Sequence, residues 1–246
     1  MKNLTEKVIL VTGSSKGIGA AVAHQLATEG AKIIVNYAGD AAAAEQTVNE
    51  IKQNGGDAIA VKADVSQPDQ VKTLFDTAIA HYGRIDVLVN NAGIMITKLL
   101  KDFTDEDFDR SFAINVKGTF NTMREAATRL ADNGTIINSC TTIARLIVPT
   151  YSVYGATKAA VEQLTRVFAK EMGSRGITVN AVAPGPTNTE LFLKGKPQEA
   201  IDRLKSMNPF NRLAEPEDTA KVIAFLASDD AKWISAQNIA INGAMA

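Results

Sequence analysis

The sequence predicts an α/β fold: one doubly wound parallel sheet of about seven strands with helices on both faces, in a single domain spanning residues 1–246. Three observations point there. Short β-branched runs alternate with longer amphipathic segments along the chain, the order that right-handed βαβ crossovers produce. No linker, low-complexity tract or internal repeat divides the 246 residues. Finally, 46% hydrophobic residues supply enough apolar material for one sizeable core.

The first strand is expected at Val8–Val11, a run of four apolar residues, and the first helix at 17–29 after a glycine-rich turn. A strand at 33–35 and a helix at 42–53 repeat the unit, as do 58–61 with 71–81. The next strand, 87–89, leads to a long helix over 106–130, and another strand follows at 136–138. A helix then starts near Tyr154 and stops at Arg175-Gly176, before a strand at 178–181. Proline opens the last helix, Pro216–Ala227, and Asn238–Ile241 is the final strand. The stretch 184–212 lacks a strand and carries one short helix at 198–207. Irregular segments of that length in a compact domain tend to be functional, so about 187–212 is expected to form a substrate lid.

Charge and cysteine usage narrow the function classes. The formal net charge is −1 with no long run of one sign, so no nucleic-acid or membrane-surface partner is expected. A single cysteine forms no internal disulfide, which suits a reducing compartment. The apolar run near the N-terminus is about five residues, against the roughly seven to fifteen of a secretory leader. No segment approaches the ~20 apolar residues of a membrane span. The expectation is a soluble cytoplasmic protein.

Chemistry-bearing residues gather at strand ends. VTGSSKGIGAAVA joins the first strand to the first helix, with Gly13, Gly17 and Gly19 in a G-x3-G-x-G spacing. Such glycines allow a tight turn and close approach of a pyrophosphate, whose charge sits on helix N-terminal amides. Asp64 follows the third strand in KADVS, where its carboxylate can accept from an adenine amino group. Asn90-Asn91-Ala92-Gly93 ends the fourth strand, at the edge where α/β sheets bind ligands. An acid ending strand two would hold the ribose 2′-hydroxyl of NAD. Here that strand ends Val35-Asn36-Tyr37-Ala38, with no acid until Asp40, while Lys16 offers a cation. The expected cofactor is therefore NADPH over NADH.

The segment INSCTTIARLIVPTYSVYGATK holds the acid–base candidates. On a helix, Tyr154 and Lys158 are i and i+4 and share a face, whereas Tyr151 has Gly155 at that offset. A phenol titrates near 10. An ammonium ~4 Å away is worth about 4 kcal/mol at an effective dielectric near 20, enough to lower that value by roughly two to three. Tyr154 is the expected proton donor. Cys140 reads as a buried small hydrophobe, because the only histidines, His24 and His81, lie in expected helices on the cofactor half. One cysteine and two distant histidines compose no zinc site or Ser-His-Asp triad. Metal-free hydride transfer fits what remains.

TGSSKGIG, the Asp64 site, NNAG, the asparagine of SFAINVKGTF, YGATK and VNAVAPGPTNTE stand in one order. In this combination the chain resembles the short-chain dehydrogenase/reductase family from Lys7 to Gly243, with its Rossmann-like fold. The resemblance implies Tyr154 as general acid in reduction and Lys158 as the group that lowers its pKa and holds the nicotinamide ribose. It also implies that Asn115 supports a proton-relaying water. Cofactor contacts are implied at Gly13, Ser15, Lys16, Gly17, Ile18, Gly19, Asn36, Tyr37, Asp64 and Val65. Asn91, Ala92 and Gly93 would lie along the cofactor, Pro184, Gly185 and Thr187 at the carboxamide, and Thr189 near the diphosphate. Where the family has a serine thirteen residues before the tyrosine, this sequence has Thr141; Ser139, on the same strand face, is the alternative.

The expected activity is reduction of a ketone to a secondary alcohol. The alternatives are NAD-dependent oxidation of a secondary alcohol, or a non-catalytic dinucleotide-binding regulator on the same fold. The chain is close to the 3-oxoacyl-carrier-protein reductase and carbonyl reductase branches. Arg175 is kept, but Leu130-Ala131-Asp132-Asn133 lacks the basic residue expected for carrier docking. The substrate is expected to be a small-molecule carbonyl with an apolar flank, facing some of Ile94, Met95, Leu146, Leu191, Phe192, Leu193, Met207 and Phe210. The resemblance also implies a homotetramer joined through the long central helices and the last strand. At that strand's end Ala244 replaces the second of two glycines common in the family.

Overall fold

Apolar runs such as VILV and VLVN are buried at every position, as strands covered on both faces must be. In this computed structural model, which describes residues 4–246, they join one parallel sheet. Residues 1–3 of the expected 1–246 domain lie outside the described residues. The elements are β1 (Val8–Val11), α1 (Gly17–Thr28), β2 (Lys32–Tyr37), α2 (Ala41–Gln53), β3 (Asp57–Lys62), α3 (Pro68–Tyr82) and β4 (Val87–Asn90). Then come α4 (Asp105–Phe112), α5 (Gly118–Arg129), β5 (Thr135–Ser139), α6 (Ile143–Leu146), α7 (Ser152–Glu171) and β6 (Thr178–Pro184). Four elements complete the chain: α8 (Glu190–Leu193), α9 (Gln198–Ser206), α10 (Pro216–Ala227) and β7 (Asn238–Ile241).

The seven strands lie in the order β3-β2-β1-β4-β5-β6-β7, all parallel. Alternate residues of each strand face opposite layers. Ile9, Val11, Ile33, Val35, Val87 and Val89 meet α1, α2 and α10 through Val22, Leu26, Val48 and Ile223. Val8, Leu10, Ile34 and Leu88 meet α3, α5 and α7 through Leu74, Phe75, Met123 and Ala169. Strand order reverses between β1 and β4, and a crevice at the carboxyl ends follows from that reversal. No helix among the described residues is long and apolar enough to cross a membrane.

Three elements differ from the sequence expectation. The helix expected over 106–130 is broken by a π-helical turn at Ala113–Lys117. Both ends of the Asn115 side chain bond the Ile94 backbone there: Ile94 N donates to Oδ1 at 2.8 Å and Nδ2 donates to Ile94 O at 2.9 Å. Helix α7 starts at Ser152 and ends at Glu171, and its expected tail is a 3₁₀ turn, Gly173–Arg175, closed by Gly176 at φ 65°. The stretch 184–212 carries an extra short helix, α8, capped by Thr189, whose hydroxyl accepts from Phe192 N at 3.3 Å. After β7, Ala244 sits at φ 62°, a left-handed conformation that costs a non-glycine residue about 1 kcal/mol.

Candidate active site

The turn after β1 is stitched to its neighbours by side chains. Thr12 Oγ1 accepts from Asn91 N and Ala92 N, both at 3.0 Å. Asn91 Nδ2 donates to Thr12 O at 3.1 Å and Gly13 O at 2.9 Å. From β2, Asn36 Oδ1 accepts from Gly13 N at 3.2 Å, while Nδ2 donates to Val61 O and Ala63 O of the third-strand end. Gly13 has φ 60° and so favours glycine. Helix α1 follows with Lys16 at its N-cap, no side-chain cap and no acid in its first turn. Its first amides are therefore left to the cleft, an arrangement that suits an anion.

This cleft has a volume of about 590 Å³ and is lined by Gly13, Lys16, Gly17, Ile18, Gly19, Asn36, Asp64, Val65, Asn91, Ala92 and Gly93. A dinucleotide fits this donor set: glycines at the turn, uncapped amides and Asp64 at the far end. Asp64 is held in place, its Oδ1 accepting from Ser66 N at 2.9 Å and its own N–H donating to Gln70 Oε1 at 2.8 Å. Two expected contacts, Ser15 and Tyr37, stand outside the lining. The Ser15 carbonyl accepts from the Thr47 hydroxyl, and Tyr37 packs against the α1 side of the core. Arg110, Ile114 and Lys194 also line the cleft; Ile114 stands beside Asn115 in SFAINVKGTF, while no local motif marks Arg110 or Lys194. A methyl group at Gly19 would collide with the Gly13 carbonyl and lie 2.5 Å from Asn91 Nδ2. Gly19→Ala is therefore expected to weaken dinucleotide binding at least tenfold and to lower the thermal midpoint, both measurable by titration and thermal unfolding.

Lys16 does not stand alone at the cleft, as the sequence suggested. Asp40 returns to the glycine loop as the N-cap of α2, its Oδ2 lying 2.9 Å from Lys16 Nζ. Glu190 of α8 approaches the same ammonium at 3.6 Å. Lys16 is thus a paired cation, not a free one.

At the carboxyl end of β5, Ser139, Cys140 and Thr141 face α7 across a smaller cavity of about 130 Å³ that also meets Tyr151, Tyr154 and Lys158. The buried Lys158 Nζ donates to Ser139 O at 2.7 Å, and it lies 5.9 Å from the Tyr154 ring centroid. A side chain at Gly93 would stand 3.5 Å from Lys158 Nζ and 3.2 Å from Asn115 Oδ1, so backbone and both groups converge. Asn115 Nδ2 further donates to Thr157 Oγ1 at 3.1 Å, and the Thr157 hydroxyl donates to Tyr154 O at 2.7 Å. Thr157 was not anticipated, although it stands inside YGATK, three residues past the tyrosine.

The expected lowering of the Tyr154 pKa is reversed in this setting. Burial pushes the phenol up to about 12, opposed by a hydrogen bond with the Thr141 hydroxyl. Burial also pushes the Lys158 ammonium down. Burial is the largest influence on both groups. The Thr141 hydroxyl also accepts from Ile143 N at 3.3 Å, and Ser139 meets Lys158 through its carbonyl. Thr141→Val is expected to raise the Tyr154 pKa and cut turnover about tenfold or more, with Ser139→Ala nearly neutral; pH–rate profiles of both variants check this.

Ile94, Met95, Leu146, Leu191 and Phe192 line the cavity as expected, joined by Ile143 and Pro186. Leu193, Met207 and Phe210 do not: Leu193 borders a separate pocket, Met207 is half-exposed, and Phe210 lies against Gly243. Cys140 is 5% exposed, and burial pushes its thiol up to about 12, which leaves no reactive thiolate. In the native protein it is expected to react with a disulfide reagent at least a hundredfold more slowly than in denaturant. Arg175 is occupied internally: it pairs with Asp132 at 2.7 Å and donates to Ala127 O and Leu130 O.

Comparisons with known proteins find relatives along nearly the whole chain. The family model described as enoyl-(acyl carrier protein) reductase matches residues 13–245. Versicolorin reductase stcU of Emericella nidulans is 43% identical over 252 residues, covering 98% of this chain and 96% of that protein. Elsinochrome reductase 1 of Elsinoe fawcettii is 45% identical over 254 residues, covering 98% and 95%. The crystal structure of the angucycline C-6 ketoreductase LanV with bound NADP superposes with a TM-score of 0.94 at 40% identity, covering 99% and 96%.

Proposed function

This chain belongs to the short-chain dehydrogenase/reductase family, oxidoreductases acting between carbonyl and alcohol groups, and on that premise we propose that it reduces a ketone with NADPH, Tyr154 delivering the proton. The observation that carries the reading is the meeting of Tyr154, Lys158 and Thr141 on one cavity that opens, past Asn91, Gly93 and Thr189, into the glycine-loop cleft. When bound, NADPH would supply the hydride for the carbonyl carbon.

The side chains do the rest. The Thr141 and Tyr154 hydroxyls hold the carbonyl oxygen, and Tyr154 Oη gives its proton to the forming alkoxide. Because burial keeps the phenol protonated, the acid form persists through neutral and mildly alkaline pH. Lys158, fixed by Ser139 O, faces the phenolate left behind and stabilises it. Asn115, clamped by Ile94 and Thr157, supports the water that restores the proton. Pro184, Gly185 and Thr187 would hold the nicotinamide carboxamide and Thr189 the diphosphate; all four border the catalytic cavity.

NADPH over NADH is supported by the absence of an acid at the end of β2, by Lys16 at the cleft, and by the NADP bound in LanV. Relatives named as reductases support the direction toward alcohol. The apolar cavity wall supports a substrate with an apolar group beside its ketone. Arg175, consumed by Asp132 and two carbonyls, supports a free small molecule and not a carrier-bound acyl chain. A homotetramer in the cytoplasm belongs to the same reading. Exposed Phe120 on α5 and Val167 on α7 offer apolar area on the helices through which it would assemble.

The test is titration with NADPH and NADH, followed by loss of NADPH absorbance against a panel of ketones and acetoacetyl thioesters. Tighter NADPH binding with turnover of apolar ketones is expected. Tight binding with no turnover on any of them would make the chain a dinucleotide sensor.

A further inference from the structure

The glycine loop GSSKGIG contains one cation, Lys16. Its ammonium is half-exposed at the mouth of the dinucleotide cleft and shared between two carboxylates, Asp40 at 2.9 Å and Glu190 at 3.6 Å. Asp40 is not a freely swinging surface acid. Its Oδ1 accepts from Ala43 N at 3.0 Å as the N-cap of α2, which leaves Oδ2 directed at Lys16. The carboxyl is held below the usual carboxylate range, first by that amide and then by Lys16, so it is charged at neutral pH.

A 2′-phosphate is the one group that distinguishes NADPH from NADH, and near neutral pH it carries up to two negative charges. Building on the NADPH reading above, we infer that Asp40 is a cofactor-specificity residue: its carboxylate competes with the 2′-phosphate for Lys16 and so narrows the discrimination between NADPH and NADH. Glu190 exerts the same competition more weakly, at its longer distance, from the lid side of the cleft. A phosphate that engages Lys16 therefore works against both acids at once. The absence of an acid at the very end of β2 understates the negative charge around the ribose, because the acid arrives from the start of α2.

The test uses the intact protein and two fragments lacking nicotinamide, 2′,5′-ADP and 5′-ADP, titrated by calorimetry. Asp40→Asn removes the charge and keeps a side-chain oxygen to cap α2. It is expected to bind 2′,5′-ADP about threefold to tenfold tighter, with 5′-ADP changed by less than about twofold. Adding Lys16→Ala to Asp40→Asn should abolish that gain, and Glu190→Gln alone should give a smaller one. An unchanged 2′,5′-ADP affinity in Asp40→Asn overturns the inference. So does an equal gain for both nucleotides, or a gain that survives Lys16→Ala. The NADPH reading fails separately: it falls if the wild-type protein binds 2′,5′-ADP no better than 5′-ADP. In that event a selective gain in Asp40→Asn still upholds the role of Asp40.

Discussion

Tyr154→Phe is expected to lower turnover by about 10²- to 10⁴-fold, the usual contribution of a positioned general acid. Dinucleotide affinity should stay nearly intact. The loss is specific to the hydroxyl, because phenylalanine keeps the ring packed against Tyr151, whose centroid lies 6.4 Å away. The Lys158–Ser139 bond does not involve the phenol and should persist. Rapid-mixing kinetics with saturating cofactor separate the two effects. A variant keeping most of the activity would remove Tyr154 from its assigned role. The wild-type profile carries a sign of its own. Reduction needs the protonated phenol, and that form is lost only as pH rises through its pKa, which burial sets at about 12. Reduction should therefore decline only at strongly alkaline pH, and alcohol oxidation, which needs the phenolate, should rise with pH.

Lys158→Ala is expected to be the more general lesion. The ammonium is buried, donates to Ser139 O at 2.7 Å and stands near Gly93 and Asn115. Hydrogen bonds to charged groups contribute about 1.5–3 kcal/mol each. Losing one to the ribose should weaken dinucleotide binding about tenfold or more. Losing the charge that stabilises the phenolate should also reduce turnover by at least about a hundredfold. Calorimetry and steady-state kinetics on one preparation report both. Unchanged cofactor affinity would confine Lys158 to the proton step.

Much of this site was legible from sequence because its key relations are local. Tyr154 and Lys158 share a face through one helical turn, and Thr157 lies between them in the same motif. The strands were legible because parallel strands buried on both sides read as continuous apolar runs. Other features depend on contacts between distant segments. The π turn at Asn115 exists because its amide is clamped by Ile94, in a loop beyond β4. Lys16 finds Asp40 and Glu190 only after α2 and α8 are in place. The direction of the Tyr154 pKa followed burial, which spacing does not encode. Short helices such as α8 fall below the length at which periodicity is readable. For that reason the lid's contribution to the cavity was foreseen at Leu191 and Phe192 but not its limit before Leu193.

The most direct test of the central claim follows a label. NADPH carrying deuterium at C4 of the nicotinamide is incubated with the protein and an apolar ketone, and the product alcohol is weighed by mass spectrometry. One deuterium on the carbinol carbon, transferred from one face of the ring only and absent with Tyr154→Phe on the same timescale, is the predicted result. Tight NADPH binding with no label in any alcohol across the ketone panel would contradict hydride transfer and leave a protein that binds the cofactor without using it.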